Sequence, residues 1–250
     1  MAFGTERRTA PTRVVARAVI DEGLRAYMLS VYNYMASGLA LTGIVALAVA
    51  NVPALGALFY ESVVTPYGVQ FAPTMLGWIV MFSPLIMVFF VFRRMQRMSV
   101  AGAQTAFWVF SILMGLSLAH IFLVYTGASI ARVFFITASV FGAMSLYGYT
   151  TKRDLTGWGS FLFMGLIGII IASVVNIFLA SSALDFAISV IGVLVFVGLT
   201  AYDTQNIKSM YVQSDGTAVV TKKAIMGALR LYLDFINLFL MLLRLFGNRG

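Results

Sequence analysis

The chain has no cysteine and a single histidine among its 250 residues, and only 10% of its residues are charged. The absence of cysteine excludes disulfide bonds, thiolate metal sites and cysteine nucleophiles. The scarcity of charge excludes an ordinary soluble domain, in which about 25% of residues are charged. Apolar residues take the place of charged ones, since 61% of the chain is hydrophobic and its mean hydropathy is +0.95. This composition predicts an integral membrane protein.

Seven apolar segments are candidates for membrane-spanning helices, because a bilayer core takes about 20 apolar residues per helix. They are Tyr27–Ala50, Met75–Phe92, Ala101–Tyr125, Arg132–Tyr149, Phe161–Ala180, Phe186–Tyr202 and Ala224–Leu245. The last segment is the most polar, since it carries Arg230, Asp234 and Arg244. The pattern predicts an all-α polytopic membrane protein, with residues 1–26 as an N-terminal segment and residues 27–250 as one seven-helix transmembrane domain.

The basic residues of the loops lie on one side of this predicted bundle. Residues 1–26 contain five arginines, and eight more basic residues follow spans two, four and six: Arg93, Arg94, Arg97, Lys152, Arg153, Lys208, Lys222 and Lys223. The loops of the other side, 51–74, 126–131 and 181–185, contain no lysine or arginine. Because basic loops stay in the cytoplasm, we expect a cytoplasmic N-terminus. The net charge of +8 then reflects topology in a lipid bilayer and not nucleic-acid binding.

Two aspartates fall inside or beside these apolar segments. Asp203 directly follows the apolar run ISVIGVLVFVGLTAY, and Asp234 lies in the last segment. An ionisable group within a span is costly and by default marks an ion path, a proton relay or a buried pair. At about 1.5 Å per residue, they lie roughly 10 Å and 16 Å from the cytoplasmic ends of two helices joined by a short loop. If the carboxylates meet, they share a proton and form a weak site for a hard cation such as Ca²⁺.

A purely structural interpretation of the same acids stays open at this stage. Arg230 lies one helical turn before Asp234, so an i,i+4 salt bridge would account for Asp234 without any function. Asp203 would then only extend its side chain to the cytoplasmic interface.

Four stretches of the C-terminal half carry a resemblance to a known family. They are SLYGYTTKRDLTGWGSFLFMGLIG at 145–168, VNIFLASSALDFAISVIGVLVF at 175–196, GLTAYDTQNIK at 198–208 and LYLDFINLFLMLLRLFG at 231–247. In this order they resemble the bacterial branch of the Bax inhibitor-1 family of membrane proteins. The resemblance implies a seven-helix bundle with a polar, central last helix. It also implies a pH-sensitive Ca²⁺ leak through a pair of aspartates on the last two helices, which here match Asp203 and Asp234.

Further residues are assigned through the same resemblance. A basic residue at the cytoplasmic end of the second helix latches the aspartate pair in the family, and Arg93 or Arg94 matches it. Arg230 departs from the family pattern, and by pairing with Asp234 it would hold that carboxylate ionised and tune the pH response. Asn176 is a candidate lining residue of the cavity or a hydrogen-bonding residue between helices. Calcium is expected as the transported ion and not as a cofactor, and the bacterial cytoplasmic (inner) membrane is the expected location.

Three other functions compete with the calcium leak. An intramembrane aspartyl protease also uses two aspartates, but the second stands here in LYLD where that class has Gly-x-Gly-Asp. A rhomboid-like serine protease is suggested by Ser117 and His120, but rhomboids take this pair from two helices. A regulatory protein that binds a membrane-bound ATP-dependent protease, without ion transport, is the main alternative.

Four glycines, Gly142, Gly165, Gly168 and Gly198, are expected to allow close helix packing.

Overall fold

A computed structural model of the chain describes residues 10–65, 68–90 and 92–248, with side chains from residue 21 onward except 65, 68–70 and 92. Its elements in chain order are α1 Ala10–Asn51, α2 Pro53–Phe59, β1 Tyr60–Thr65, β2 Gly68–Pro73, α3 Met75–Phe90, the 3₁₀ helix Phe92–Arg97, α4 Val100–Leu118, α5 Ile121–Val124, α6 Gly127–Thr150, α7 Thr156–Leu179, α8 Ser182–Ser209 and α9 Thr217–Phe246. The predicted helical class is therefore confirmed, apart from one short hairpin.

Six of the described helices are long and apolar enough to cross a membrane: α1 from Asp21, α4 with α5, and α6 to α9. The predicted second span is shorter than expected, because α3 has only 16 residues and ends before the paired arginines. At 1.5 Å per residue α3 is about 24 Å long, against a hydrocarbon core of about 30 Å. The predicted third span is interrupted, because α4 ends at Leu118 and α5 begins at Ile121.

The segment between α1 and α3 is structured, although only a polar loop was expected over residues 51–74. The strands β1 and β2 form an antiparallel hairpin in the register Tyr60↔Pro73 to Thr65↔Gly68. Alternation is weak in both strands, which explains why the sequence did not reveal them. Helix α1 continues from Ala10 to Asn51 without a break, and the division into an N-terminal segment and a transmembrane domain after residue 26 stays a prediction.

The last helix is the most buried of the six. In α9, 72% of the most apolar window is buried inside the protein, against 11% in α7 and 39% in α8. It packs against α1, α4, α6, α8 and the 3₁₀ helix. Helix α3, in contrast, packs along its length mainly against α4. A helix that carries charges is thus enclosed, and its charged side chains must find partners within the bundle or at its ends.

Two opposite ends of the bundle can be distinguished. At one end, which we call the basic end, lie the 3₁₀ helix and the loops 151–155 and 210–216. Lys222 and Lys223 of α9 donate to the backbone carbonyls of Gln96 and Met210, and Gln205 of α8 donates to that of Arg153. At the other end Arg244 of α9 lies 3.7 Å from Asp185 of α8, and the backbone of Asn248 accepts from Thr126 N–H. The C-terminal residues of the described chain therefore lie opposite the basic end.

Candidate functional site

The two aspartates singled out by the sequence meet inside the bundle. Asp203 lies in α8, six residues before that helix ends at Ser209, and Asp234 lies in the middle of α9. Their carboxyl groups are close enough to interact directly with each other. Asp234 is 5% exposed, and the Asp203 side chain is 16% exposed. The structure therefore contains a carboxyl pair between α8 and α9, with its deeper member on α9.

Close packing of α8 on α9 sets the register of the pair. A Cβ on Gly192 of α8 would lie 2.8 Å from the Met241 sulfur, and a Cβ on Gly227 of α9 would lie 2.8 Å from Ile207. These two contacts on either side of the acids hold the antiparallel helices close together. Counting eleven residues from the Gly192–Met241 contact along each helix leads to residues 203 and 230. Residue 230 therefore stands opposite Asp203, and Asp234 lies one turn further along α9.

This register places Arg230 beside Asp203. The i,i+4 salt bridge to Asp234, which the sequence left open, is not formed among the described residues; Arg230 Nη1 lies 3.9 Å from Asp203 Oδ1. That distance is too long for a hydrogen bond, so the contact is electrostatic. The Arg230 side chain is 42% exposed, which places its charge at the solvent-facing side of the pair.

A polar atom of Asp234 is left unpaired in this arrangement. Asp234 Oδ2 is buried and has no hydrogen-bond partner among the described residues, and the same holds for the hydroxyl of Tyr27. Tyr27, on α1, is 2% exposed and close enough to Arg230 to interact with its charge. Buried polar atoms without partners are rare in proteins. Sequence reasoning missed Tyr27, because an aromatic residue at the start of a span resembles a member of the interfacial belt.

A chain of hydroxyl groups runs beside the carboxyl pair, on the neighbouring face of α8. The Tyr32 hydroxyl lies 2.6 Å from Ser145 Oγ, which lies 3.0 Å from Thr204 Oγ1. Thr204 donates in turn to the carbonyl of Thr200, one turn back along α8. The chain connects α1, α6 and α8 at the level of Asp203, so it fixes the position of the helix that carries this acid.

The residues predicted as a latch are not in contact with the acids. Arg93 and Arg94 belong to the 3₁₀ helix and are exposed. Neither forms an ion pair with a carboxylate in the part of the chain that the structure describes. Their role as a latch stays a prediction, and in this conformation Arg230 is the cation beside the pair.

Asn176 makes a hydrogen bond at the turn between α7 and α8. It lies in the last turn of α7, where its side-chain oxygen accepts from the N–H of Ser181 at 3.0 Å. Between them Ala180 adopts a left-handed conformation with φ 47°, which ends the helix. Asn176 therefore stabilises the α7–α8 turn, at the end of the bundle away from the carboxyl pair, and its role as a cavity-lining residue stays a prediction.

Ser117 and His120 do not form the serine–histidine pair of a protease. His120 Nδ1 lies 2.8 Å from the backbone carbonyl of Ser117, and the Ser117 hydroxyl donates to the carbonyl of Met81 at 3.3 Å. The two side chains serve the break between α4 and α5 and the packing of α3 on α4.

The donor set of the pair limits the metal chemistry that it supports. Within the described chain no cluster of three or more His, Cys, Asp or Glu side chains could hold a metal ion. Ca²⁺ normally takes six to eight oxygen ligands. Two carboxylates alone would therefore have to be completed by water or backbone oxygens.

Fold and site together define a polytopic helical membrane protein with a carboxyl pair enclosed between its last two helices. The chain belongs to the Bax inhibitor family, because residues 24–250 match the family described as Bax1-I, Inhibitor of apoptosis-promoting Bax1.

Bacterial membrane proteins are among its relatives. Inner membrane protein YbhL of Escherichia coli K12 is 52% identical over 229 residues, which cover 91% of this chain and 93% of YbhL. Uncharacterized protein RP147 of Rickettsia prowazekii is 54% identical and covers 92% of each chain. A protein of Deinococcus radiodurans is 37% identical over 90% of this chain and 92% of its own length. The family resemblance drawn from the sequence is thereby confirmed, as is integral membrane location.

Proposed function

We propose that the protein is a calcium-leak pathway of the bacterial inner membrane, regulated by pH through Asp203 and Asp234. The observation that carries the proposal is the carboxyl pair itself, in which Asp234 is 5% exposed and its Oδ2 has no partner among the described residues. The inner-membrane location is supported by the likeness to YbhL.

The physical basis of the regulation is the mutual repulsion of two close carboxylates. Two such groups do not ionise independently, and their protonation belongs to the pair. While the pair holds a proton, it attracts a divalent cation weakly. When both groups are ionised, the pair carries two negative charges and offers oxygen ligands of the kind that Ca²⁺ prefers. The charge of the pair, and with it the attraction for Ca²⁺, therefore depends on pH.

Arg230 makes the two acids unequal. Its guanidinium lies 3.9 Å from Asp203 and stabilises a negative charge there. The shared proton is then expected on Asp234, whose carboxyl is enclosed by α9 and its neighbours. Arg230 would tune the pH at which the pair loses this proton.

The topology that belongs to this proposal has seven spans, a central last helix and a cytoplasmic N-terminus. Helix α3 supplies the seventh span, since a short helix is accommodated by local thinning of the bilayer and by arginines that extend to the interface. The central position of α9 is supported by its burial, with 72% of its most apolar window enclosed. The basic end of the bundle would face the cytoplasm.

The test is Ca²⁺ entry into liposomes that contain the purified protein, measured with an enclosed dye as a function of external pH. Wild type is compared with Asp203→Asn, Asp234→Asn and Arg230→Gln. Asp185→Asn is the matched control, because it makes the same change at the other end of α8, where Asp185 is 44% exposed.

We expect a pH-dependent flux in wild type and Asp185→Asn, a flux without that dependence in both pair variants, and a shifted pH dependence in Arg230→Gln. Flux no higher than in empty liposomes at every pH, from protein that elutes as a folded species, contradicts the leak. That outcome favours the regulatory protein that binds a membrane-bound ATP-dependent protease.

A further inference from the structure

Three arginines and two phenylalanines line one concavity at the basic end of α3. Its volume is about 750 Å³, and its lining residues are Phe89, Phe90, Arg93, Arg94 and Arg97. All three arginines are exposed, and none of them forms an ion pair with a carboxylate of the described chain. Three guanidinium groups thus share one concavity without a neutralising acid.

The arginines are held in place by the short helix that carries them. In a 3₁₀ helix residues i and i+3 lie on one face, so Arg94 and Arg97 are aligned. Met95 points the other way and is fully buried at 0% exposure. Lys222 of α9 fixes the same segment by donating to the carbonyls of Gln96 at 3.0 Å and Met98 at 3.4 Å. The positive charges are therefore presented from an anchored segment.

The concavity lies where the membrane interface is expected. Phe89 and Phe90, at the end of α3, are 58% and 71% exposed, so they face the acyl chains around the bundle. Arg93 and Arg94 follow Phe90 by three and four residues, and Arg97 follows it by seven, so we expect the guanidinium groups at the level of the phospholipid headgroups. The two phenylalanines and the three arginines are thus adjacent, in the same order as the acyl chains and the phosphate of a phospholipid.

We propose that this concavity binds one anionic phospholipid of the leaflet at the basic end. The guanidinium groups hold the phosphate and the charged headgroup, because arginine matches phosphate oxygens with two parallel hydrogen bonds. Phe89 and Phe90 pack against the acyl chains. Basic pockets beside transmembrane helices are a known way of binding anionic headgroups.

A second basic pair at the same end lacks this arrangement and supplies the control. Lys152 and Arg153 are exposed and line a concavity of about 390 Å³, but Asp154 lines it as well. A carboxylate beside the two cations disfavours a phosphate there. If the arginines of the 3₁₀ helix served only to orient the protein in the membrane, the two basic pairs would behave alike toward lipids.

The experiment is native mass spectrometry of the full chain in detergent, titrated with phosphatidylglycerol or with phosphatidylcholine. The variants are Arg93→Gln/Arg94→Gln and, with the same loss of two charges, Lys152→Gln/Arg153→Gln. We expect wild type to retain one phosphatidylglycerol in preference to phosphatidylcholine. The first variant should bind it about 30-fold more weakly, since each basic residue near an anionic headgroup contributes a factor of about five. The control variant should bind as wild type does.

Three outcomes overturn the proposal: equal binding of the two lipids by wild type, equal loss in the two double variants, or no loss in the first. Competition by inorganic phosphate or by a polyglutamate peptide as strong as that by phosphatidylglycerol also overturns it, because the ligand would then be a soluble anion. If the first double variant does not elute as a folded species, Arg97→Gln is tested against Arg153→Gln in the same way.

Discussion

Gly148 is the position at which two helices approach most closely near the carboxyl pair. A Cβ built on this residue of α6 would lie 2.2 Å from the carbonyl oxygen of Ala201 and 2.9 Å from its Cα, both backbone atoms of α8. Side-chain rotation cannot relieve such a contact. We therefore predict that Gly148→Ala moves α8 away from α6.

The size of the effect follows from the geometry. Real Cβ contacts are essentially never shorter than 3.0 Å, so α8 must recede by about 0.8 Å. One turn away on the same pair of helices, the hydrogen bond of 3.0 Å between Ser145 and Thr204 would lengthen beyond its useful range. Overpacking of this kind costs about 1–3 kcal/mol in the free energy of unfolding. Asp203, two residues beyond Ala201, would move with α8.

Gly142 of the same helix is the matched control, since nothing lies within 4 Å of a Cβ built there. Gly142→Ala should be neutral or stabilising by about 0.5–1 kcal/mol, because alanine favours the helix over glycine. The assay is unfolding by SDS in mixed micelles followed by far-ultraviolet circular dichroism. If Gly148→Ala unfolds at the same SDS fraction as Gly142→Ala, the close approach of α6 and α8 does not limit this position, and the reasoning fails.

Two further predictions concern single hydrogen bonds. Thr42 donates to the carbonyl of Ser111 at 2.9 Å, so the fully buried Tyr232 hydroxyl must donate to Thr42 Oγ1 at 2.6 Å. Tyr232→Phe should lower the free energy of unfolding by about 0.5–1.5 kcal/mol in the same assay. Tyr147→Phe is the control and should not lower it, because the Tyr147 side chain is exposed. Equal effects of the two substitutions would refute the hydrogen bond from Tyr232 to Thr42. The Thr156 hydroxyl and the Thr156 N–H donate to Asp154 and hold the pKa of that carboxyl below its ordinary value. The ionised Asp154 carboxylate therefore stabilises the folded protein above about pH 4, the ordinary pKa of aspartate. This stabilisation is lost as the pH falls toward the lowered pKa. In Asp154→Asn the melting temperature should fall less steeply than in wild type as the pH is lowered below about 4. An equally steep fall in the two proteins contradicts the prediction.

The order of the apolar segments could be predicted from the sequence, and so could the meeting of the two aspartates, but six and not seven of those segments form described helices long enough to cross a membrane. Both depend on local composition: long apolar runs define the helices, and a carboxylate within such a run is conspicuous. The limits of the segments were less predictable. The break between α4 and α5 contains neither proline nor glycine, and the hairpin at 60–73 lacks a clear alternation of apolar and polar residues.

The packing glycines illustrate why contacts between helices are harder to predict. Gly165 and Gly198 were expected at helix contacts, and a Cβ on them would lie 2.9 Å from Val195 and 2.7 Å from Leu162. Gly142 and Gly168 were expected there too, but a Cβ on either meets nothing within 4 Å. A glycine in a membrane helix has the same sequence signature on a packed face and on a lipid-facing one, because both surroundings are apolar. Only the rotation of the helix distinguishes them.

The partner of Arg230 could not be decided from the sequence for the same reason. The i,i+4 rule describes an isolated helix, whereas the register of α8 on α9 places Arg230 opposite Asp203. That ion pair is 3.9 Å long with a half-exposed arginine, so it contributes little to stability. The two close carboxyls repel each other when ionised. The acids are therefore positioned by packing, above all by the Gly192–Met241 and Gly227–Ile207 contacts on either side of them. Replacement of either aspartate by asparagine leaves those contacts in place, and a change of ion flux in such variants would report on the charge of the pair and not on a loss of fold.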